Sequence, residues 1–207
     1  NQLMRIAKKK NLLLTEATFF NYHNQFDFVK KFIGKLSNIE KVFVNFTIPM
    51  PQKNSLLLSK NFDGGTFMDM SPYTASINRM LFEEKLKKKL IIVKKNNQKL
   101  IISYDVFLKY KTKVFIGTFR FGKKYKNKIL IFLRNRSIEI NRAFSPPSNK
   151  KLEIQITKKN KVQKVFVKKD NCFENYLSEV IKNIKNKKYT FYFDQMIKDE
   201  NFRFKLL

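Results

Sequence analysis

A long stretch of alternating residues, from about residue 89 to residue 168, constrains the fold of this chain more than any other feature. Apolar and polar side chains alternate there with a period of two, which is typical of strands with one buried and one solvated face. Ile154 and Ile156, for example, face one way while Glu153 and Gln155 face the other. Short connections rich in Lys, Asn and Gly suit hairpins. The pattern predicts an antiparallel meander of seven strands, over residues 89–94, 99–109, 112–121, 127–133, 136–143, 151–157 and 162–168.

Helical spacing appears on both sides of this meander. Helices on one face of an open, mostly antiparallel sheet form an α+β layer, so the predicted fold class is α+β. Before the meander, the sequence predicts the end of a helix at 1–10, a short buried strand at 12–14 and a helix over 26–33 that stops at Gly34. A strand over 38–48, a loop over 49–63 and a helix that begins at Ser71 and Pro72 follow. After the meander, the sequence predicts a helix capped near Asp170 or Asn171 and a short helix at 191–199.

The charge of the chain is easily misread. A formal net charge of +28 on 207 residues is typical of proteins that bind nucleic acid or an anionic surface. Only seven of the 44 basic residues are Arg, however, and the Lys residues are scattered along the chain. A protein that reads nucleic acid uses Arg more often, because the planar guanidinium forms paired hydrogen bonds. We therefore attribute most of the charge to biased composition. Binding of an anionic partner is the alternative explanation, and a nucleotide sugar with its diphosphate would be one such partner.

Cysteine usage and hydropathy predict the compartment. Cys172 is the only cysteine, so no internal disulfide can form, and no Cys/His cluster has the spacing of a zinc site. No apolar stretch approaches the ~18 residues that a membrane helix needs. These observations predict a cytoplasmic protein with no metal ion and no membrane partner.

The most informative local motif is the segment 64–76. Its first two residues are glycines, which let the backbone approach a ligand closely because they have no Cβ. Ser71 is a favourable N-cap and Pro72 suits the first helical position. Tyr73 would then lie in the first turn, near the positive end of the helix dipole. A Gly–Gly turn before an ordinary amphipathic helix would give the same pattern.

This motif resembles the G-G-x-x-x-D-x-G-x-[HY]-x-x-D signature of the Gfo/Idh/MocA family, the relatives of glucose-fructose oxidoreductase and inositol dehydrogenase. Further likeness follows in order along the chain: segment 5–26 is similar to the family passage A-K-K-x-x-L-x-x-E … F-x-x-H-x-x-F, and segment 29–42 to K-x-x-I … G-x-I-x-x-V. Segments 125–132 and 142–147 resemble a branch linked to nucleotide-sugar and surface-polysaccharide metabolism.

The resemblance implies an NAD(P)-dependent oxidoreductase that transfers a hydride between the nicotinamide and a carbon of a sugar or nucleotide sugar. The chain contains no G-x-G-x-x-G and no E-K-P motif, so most of the Rossmann domain is expected to be missing. Residues 1–17 would be a remnant of that domain, and residues 18–207 the C-terminal domain for substrate binding and oligomerisation. NAD or NADP would be bound mainly by the missing part, and this fragment would be inactive alone. A homo-oligomer would form through the exposed sheet face.

Tyr73 and Asp69 are the candidate catalytic residues. Hydride transfer at a carbonyl or hydroxyl needs a proton donor or acceptor at the oxygen, and a Tyr or His takes this position of the signature in the family. A helix N-terminus and a nearby Lys would lower the pKa of the phenol. Asp69 could bind a substrate hydroxyl or orient Tyr73, and it could equally cap backbone N–H groups. Ser71 and Ser76 stand where the signature has Gly and Asp, so the substrate's identity stays open.

The other site predictions carry a structural alternative each. The expected substrate contacts are Tyr22, His23, Gly64, Gly65 and Asn127, and Glu16 is expected to face the cofactor. The single His could equally be a structural residue of the core, and the two glycines could form a plain turn.

Two other classes of protein stay open. One is a non-catalytic α+β module that stands alone and pairs through its sheet; a start codon immediately before Asn1, with no Rossmann unit ahead of it, would favour that reading. The other is a basic nucleic-acid-binding domain, which predicts strongly salt-dependent binding to DNA or RNA. The scattered Lys and the few Arg residues make nucleic acid the less favoured partner.

Overall fold

The computed structural model describes residues 2–207, and the described part of the chain holds five α-helices and eight β-strands. The helices are α1 (Gln2–Lys9), α2 (Asn24–Ile33), α3 (Thr66–Leu81), α4 (Cys172–Lys185) and α5 (Thr190–Leu206). The strands are β1 (Ile39–Pro49), β2 (Lys88–Lys95), β3 (Ile101–Lys109), β4 (Val114–Gly122), β5 (Lys126–Leu133), β6 (Arg136–Asn141), β7 (Leu152–Lys158) and β8 (Lys161–Val167).

All eight strands form one sheet in the spatial order β2-β3-β4-β1-β5-β6-β7-β8. β1 lies in the middle, parallel to β4 and antiparallel to β5. The other neighbouring pairs are antiparallel. The predicted α+β fold with an open, mostly antiparallel sheet is therefore confirmed, and each of the seven strands of the predicted meander matches an observed strand to within two residues at either end.

The core lies between the helices and one face of the sheet. Val42, Val44 and Phe46 point from β1 into this layer and are buried. Helix α3 packs over β3 and β4. The hydroxyl groups of Thr74 on α3 and Tyr104 on β3 are hydrogen-bonded over 2.8 Å, and both residues are fully buried. This bond fixes the position of α3 over the sheet.

The opposite face of the sheet carries a row of partly exposed apolar residues. The pairing register places Leu90, Phe107, Ile116, Phe43 and Leu130 side by side across β2, β3, β4, β1 and β5. Leu90 is 57% exposed and Phe107 is 40% exposed. We refer to these five residues as the apolar row.

The ends of two helices follow the predicted signals. Gly34 follows α2 with φ of 68°, a conformation that glycine adopts without strain. Asn171 caps α4, since its side chain accepts hydrogen bonds from the backbone N–H groups of Phe173 and Glu174. Helix α5, however, extends to Leu206, well beyond the short helix predicted at 191–199.

Two predicted elements are wrong. Residues 12–14 form no strand and Leu12 is exposed, because no other strand of residues 2–207 pairs with them. Helix α3 begins at Thr66 rather than after Ser71, because Gly65 adopts φ of 107° and turns the chain into the helix earlier. Ser71 and Pro72 therefore lie inside the helix, where Pro72 has no N–H to bond the carbonyl one turn before it.

Candidate active site

Asp69 and Tyr73 lie one turn apart on the same face of α3, as residues four apart on a helix do. The Tyr73 ring packs against three aromatic rings: Phe46 and Phe144 with centroids 5.2 Å away, and Phe20 at 5.5 Å. These contacts fix the ring, whereas its hydroxyl forms no hydrogen bond with any residue in 2–207. The phenol is thus held firmly and keeps its hydrogen-bonding capacity.

The surroundings of Tyr73 favour its neutral form. Burial is the main cause that raises the pKa of Tyr73 to about 12, and the charges of Asp69, Tyr125 and Glu16 act in the same direction. Burial also raises the pKa of Asp69. The expectation that the helix N-terminus lowers the pKa of Tyr73 is wrong, because Tyr73 lies about two turns inside α3. At neutral pH Tyr73 is a protonated phenol, which can donate a proton.

Groups from three separate parts of the chain lie near enough to Tyr73 for their charges to raise its pKa, and we refer to Tyr73, Asp69, Glu16 and Tyr125 as the Tyr73 cluster. Glu16 comes from the segment after α1, Asp69 from α3, and Tyr125 from the connection between β4 and β5. The carboxylate of Glu16 also pairs with the guanidinium of Arg203 on α5 at 2.9 Å, and its side chain is 31% exposed. Two of the predicted residues, Asp69 and Glu16, thus act on the pKa of a third, Tyr73, through their charges.

Tyr125 is the member of this cluster that the sequence analysis did not select. Its hydroxyl is hydrogen-bonded to Ser145, and it accepts a hydrogen bond of 2.7 Å from the side-chain amide of Asn127. A signal was present, because Tyr125 begins the segment 125–132, which resembles the family, and lies two residues before Asn127.

Asn127 holds this part of the site together. Its side-chain oxygen accepts a 2.8 Å hydrogen bond from the N–H of Phe144, and its amide group donates to Tyr125 and, over 2.8 Å, to Ser145. The residue is only 6% exposed. Its polar atoms are thus occupied by Phe144, Tyr125 and Ser145, and of these Phe144 packs against the Tyr73 ring.

Gly64 and Gly65 have a structural use inside the protein. A Cβ on Gly64 would lie 2.8 Å from the carbonyl oxygens of Leu57 and Ser59, and a Cβ on Gly65 would lie 2.8 Å from that of Ile101. The N–H of Gly64 donates to Ser59 and that of Gly65 donates to Leu57. The close approach predicted for a ligand is therefore made by protein backbone.

His23 and Tyr22 lie in different surroundings from Tyr73. His23 is fully buried at the N-cap of α2, where its Nδ1 accepts a hydrogen bond from the N–H of Gln25. Burial lowers the pKa of His23, against the opposing charge of Asp170. Tyr22 lines a separate cavity of about 520 Å³, which neither Tyr73 nor Asp69 lines. The structure does not place these two predicted substrate contacts in the Tyr73 cluster.

Within residues 2–207, no group of three or more His, Cys, Asp or Glu side chains could hold a metal ion. Over the same residues, no helix has both the length and the apolar character needed to cross a membrane.

Solved structures of two oxidoreductases share this fold. KijD10, a 3-ketoreductase from Actinomadura kijaniata in complex with NADP and TDP-benzene, matches with a TM-score of 0.88 at 16% identity, over 96% of this chain and 62% of that one. GnnA, a UDP-N-acetylglucosamine 3-dehydrogenase from Acidithiobacillus ferrooxidans, matches with a TM-score of 0.70 at 11% identity, over 89% of this chain and 57% of that one. The chain thus spans less than two thirds of the length of either protein. No protein-family model matches the sequence, and no curated protein does.

Proposed function

We propose that this chain is the C-terminal part of an NAD(P)-dependent oxidoreductase of the Gfo/Idh/MocA type, acting on a sugar or nucleotide sugar. The Tyr73 cluster carries the proposal. It combines a protonated phenol with a neighbouring carboxylate, Asp69, and neither side chain is engaged in a hydrogen bond within residues 2–207. The likeness to KijD10 and GnnA supports the proposal, since the names of both describe redox chemistry at carbon 3.

Tyr73 acts as the proton donor in this proposal. When a sugar carbonyl is reduced, its oxygen gains negative charge and takes a proton, which the Tyr73 hydroxyl supplies. Asp69 accepts a hydrogen bond from an adjacent sugar hydroxyl and so orients the ring. The raised pKa of Tyr73 keeps the phenol protonated before substrate binds, which is the form that reduction uses.

The described residues could contact the nicotinamide end of a dinucleotide, but they provide no site for its pyrophosphate. The five glycines form no phosphate-binding turn, so the pyrophosphate must be held elsewhere. A bound nicotinamide would supply the hydride. Glu16, which is partly exposed and whose charge acts on the pKa of Tyr73, is the residue that we propose to face that ring.

Residues 1–17 support a boundary between two domains, although Asn1 lies outside the described residues. The backbone N–H groups of residues 13–17 donate to no other residue in 2–207. An extended segment whose N–H groups pair only with another domain would leave them so. We accordingly assign residues 1–17 to the end of a dinucleotide-binding domain and residues 18–207 to a substrate-binding domain.

The experiment is to express the reading frame extended upstream of the Asn1 codon and to follow NADPH oxidation with a keto nucleotide sugar. We expect Tyr73→Phe to lower kcat by about 10²–10⁴, the usual contribution of a positioned proton donor. Tyr189→Phe, in the connection before α5, is the matched control and should leave kcat unchanged. Full activity of Tyr73→Phe, or an upstream frame with no dinucleotide-binding domain, would contradict the proposal.

A second proposal concerns assembly: the chain forms a homo-oligomer through the apolar row. Five neighbouring apolar residues on one sheet face, with Leu90 and Phe107 well exposed, make a surface that a second copy could cover. This surface would also serve a non-catalytic pairing module, the alternative to the enzyme.

A further inference from the structure

Helix α5 carries two charged side chains, Asp199 and Arg203, that lie outside the Tyr73 cluster. They are four residues apart, so they lie on the same side of the helix. The guanidinium of Arg203 donates a hydrogen bond of 2.9 Å to the carboxylate of Glu16. Asp199 accepts two hydrogen bonds, of 2.8 and 3.2 Å, from the guanidinium of Arg79 on α3. One side of α5 therefore contacts both the segment that holds Glu16 and the helix that holds Tyr73.

The contact between α5 and α3 is buried. Asp199 is 4% exposed, and removing either partner of a buried ion pair is costly because it leaves the other charge unpaired. The guanidinium of Arg79 also donates over 3.2 Å to the hydroxyl of Ser76, which is fully buried and lies three residues after Tyr73. The Ser76 hydroxyl accepts a second hydrogen bond, of 2.6 Å, from the side-chain amide of Asn21. Asp199 thus holds the part of α3 that directly follows Tyr73.

These contacts close a ring. The path runs from Glu16 through Arg203 and Asp199 on α5 to Ser76 and its neighbour on α3, and it returns through Asn21, five residues after Glu16 in the same segment. A network whose members all have partners restrains them together, because none can move without breaking a bond. The ring therefore sets where the Glu16 carboxylate lies relative to the helix of the proposed proton donor.

Helix α5 also holds the part of the chain that precedes Glu16. Phe193 packs with Met4 and Ala7 of α1, and the ammonium group of Lys8 lies 5.4 Å from the centroid of the Phe193 ring. The segment 1–17 is the one that we assign to the end of a dinucleotide-binding domain. Helix α5 thus links this segment to α3 through its apolar side as well as through its charges.

We propose that Arg203 is a positioning residue of the reductase, which holds the Glu16 carboxylate at the place where the nicotinamide binds and, through the ring, in register with Tyr73. This inference rests on the proposed function and adds to it the group that joins the cofactor side of the site to the proton donor. Arg203 acts through Glu16. Without this ion pair the Glu16 side chain, which is 31% exposed, can turn into solvent, and the reactants lose their orientation.

The test uses the upstream-extended protein with NADPH and a keto nucleotide sugar. Arg203→Gln should lower kcat/KM for NADPH by about 10–100-fold, because a small misplacement of reacting groups has effects of that size, and should change the KM of the sugar little. Arg203→Lys keeps the positive charge and should recover most of the loss. Titration of NADPH, followed by its fluorescence, is the readout that does not depend on turnover, and Arg203→Gln should weaken this binding.

An exchanged pair, Glu16→Arg with Arg203→Glu, separates positioning from stability. It restores an ion pair between α5 and the segment before α2, and it removes the carboxylate from position 16. The free energy of unfolding should return towards that of the wild type, whereas kcat/KM for NADPH should stay low. Arg136→Gln is the matched control, since its guanidinium donates over 2.7 Å to the carbonyl of Phe32, at the end of β5 away from Asn127. Its kcat and NADPH affinity should be unchanged.

Unchanged kinetics and NADPH affinity in Arg203→Gln, or full recovery of activity by the exchanged pair, would overturn the inference. The two proposals fail differently. If Tyr73→Phe lowers kcat and Arg203→Gln does not, the positioning role is wrong and the function stands. If Arg203→Gln weakens NADPH binding while the extended wild-type protein reduces no keto sugar, the function is wrong and the contact of Glu16 with the cofactor stands. Absence of NADPH binding to the extended wild-type protein would refute both.

Discussion

Phe107 lies in the apolar row, and its replacement with Glu tests self-association through the sheet. Eight strands spaced by about 4.8 Å, each about eight residues long at ~3.3 Å per residue, give a face of roughly 1,000 Å². A standard interface buries about 800 Å² on each partner, so this face is large enough for a stable dimer. In a two-fold dimer Phe107→Glu acts twice. Phe107 is 40% exposed in the monomer, so covering the rest of each ring contributes about 0.6–1.2 kcal/mol, and the loss of both weakens the dimer by about 1–2 kcal/mol, roughly tenfold in Kd.

The assay is sedimentation velocity over a range of protein concentrations and salt. Because each copy carries a formal net charge of +28, association of the wild-type chain should strengthen as salt screens the repulsion. Ile181→Glu is the matched control, since Ile181 is 51% exposed on α4, in the helical layer. A wild-type chain that stays monomeric at high salt, or equal weakening by both variants, would refute the reasoning.

Three further predictions concern stability. Tyr104→Phe leaves the buried Thr74 hydroxyl without its partner and should lower the free energy of unfolding by about 1–3 kcal/mol in urea titrations, a loss that Thr74→Val in the same chain partly restores. Gly65→Ala combines φ of 107° with a Cβ 2.8 Å from the Ile101 carbonyl and should cost at least ~1–3 kcal/mol; an unchanged Tm would contradict the packing described. Burial raises the pKa of Asp69 above its ordinary 3.8, so the contribution of this group to stability is present below that value and is lost as pH rises through the raised pKa. The free energy of unfolding of Asp69→Asn should therefore increase relative to that of the wild type as pH rises, which unfolding curves between about pH 3 and 7 would show.

The strands of the meander could be predicted because each needs only its own alternation of apolar and polar side chains. Their order could be predicted in part, since hairpins join neighbours in the chain. The place of β1 could not, because its partners β4 and β5 lie about 70 residues or more away in sequence. Nothing local in Val42, Val44 and Phe46 states that β1 separates two strands that are consecutive in the chain.

The beginning of α3 shows how a correct local signal can mislead. Ser71 followed by Pro72 is a favourable helix start, but the structure begins the helix five residues earlier, at Thr66. The helix begins there because the backbone of Gly65 packs against Ile101. A contact between such distant segments cannot be predicted from the local sequence. The error matters for chemistry: Tyr73 loses the influence of the helix end, and burial keeps its phenol protonated.

Hydrogen bonding separates the predicted site residues more sharply than membership of a motif does. Asn127 and the N–H groups of Gly64 and Gly65 already have partners within the protein, so their polar groups build the site and leave little capacity for a ligand. Tyr73 and Asp69 are half-buried and retain theirs, since neither side chain has a hydrogen-bond partner within residues 2–207 and the charge of Asp69 helps to keep the phenol protonated. Their polar atoms are therefore free to bond a ligand. These two side chains are therefore the groups on which the proposed chemistry depends.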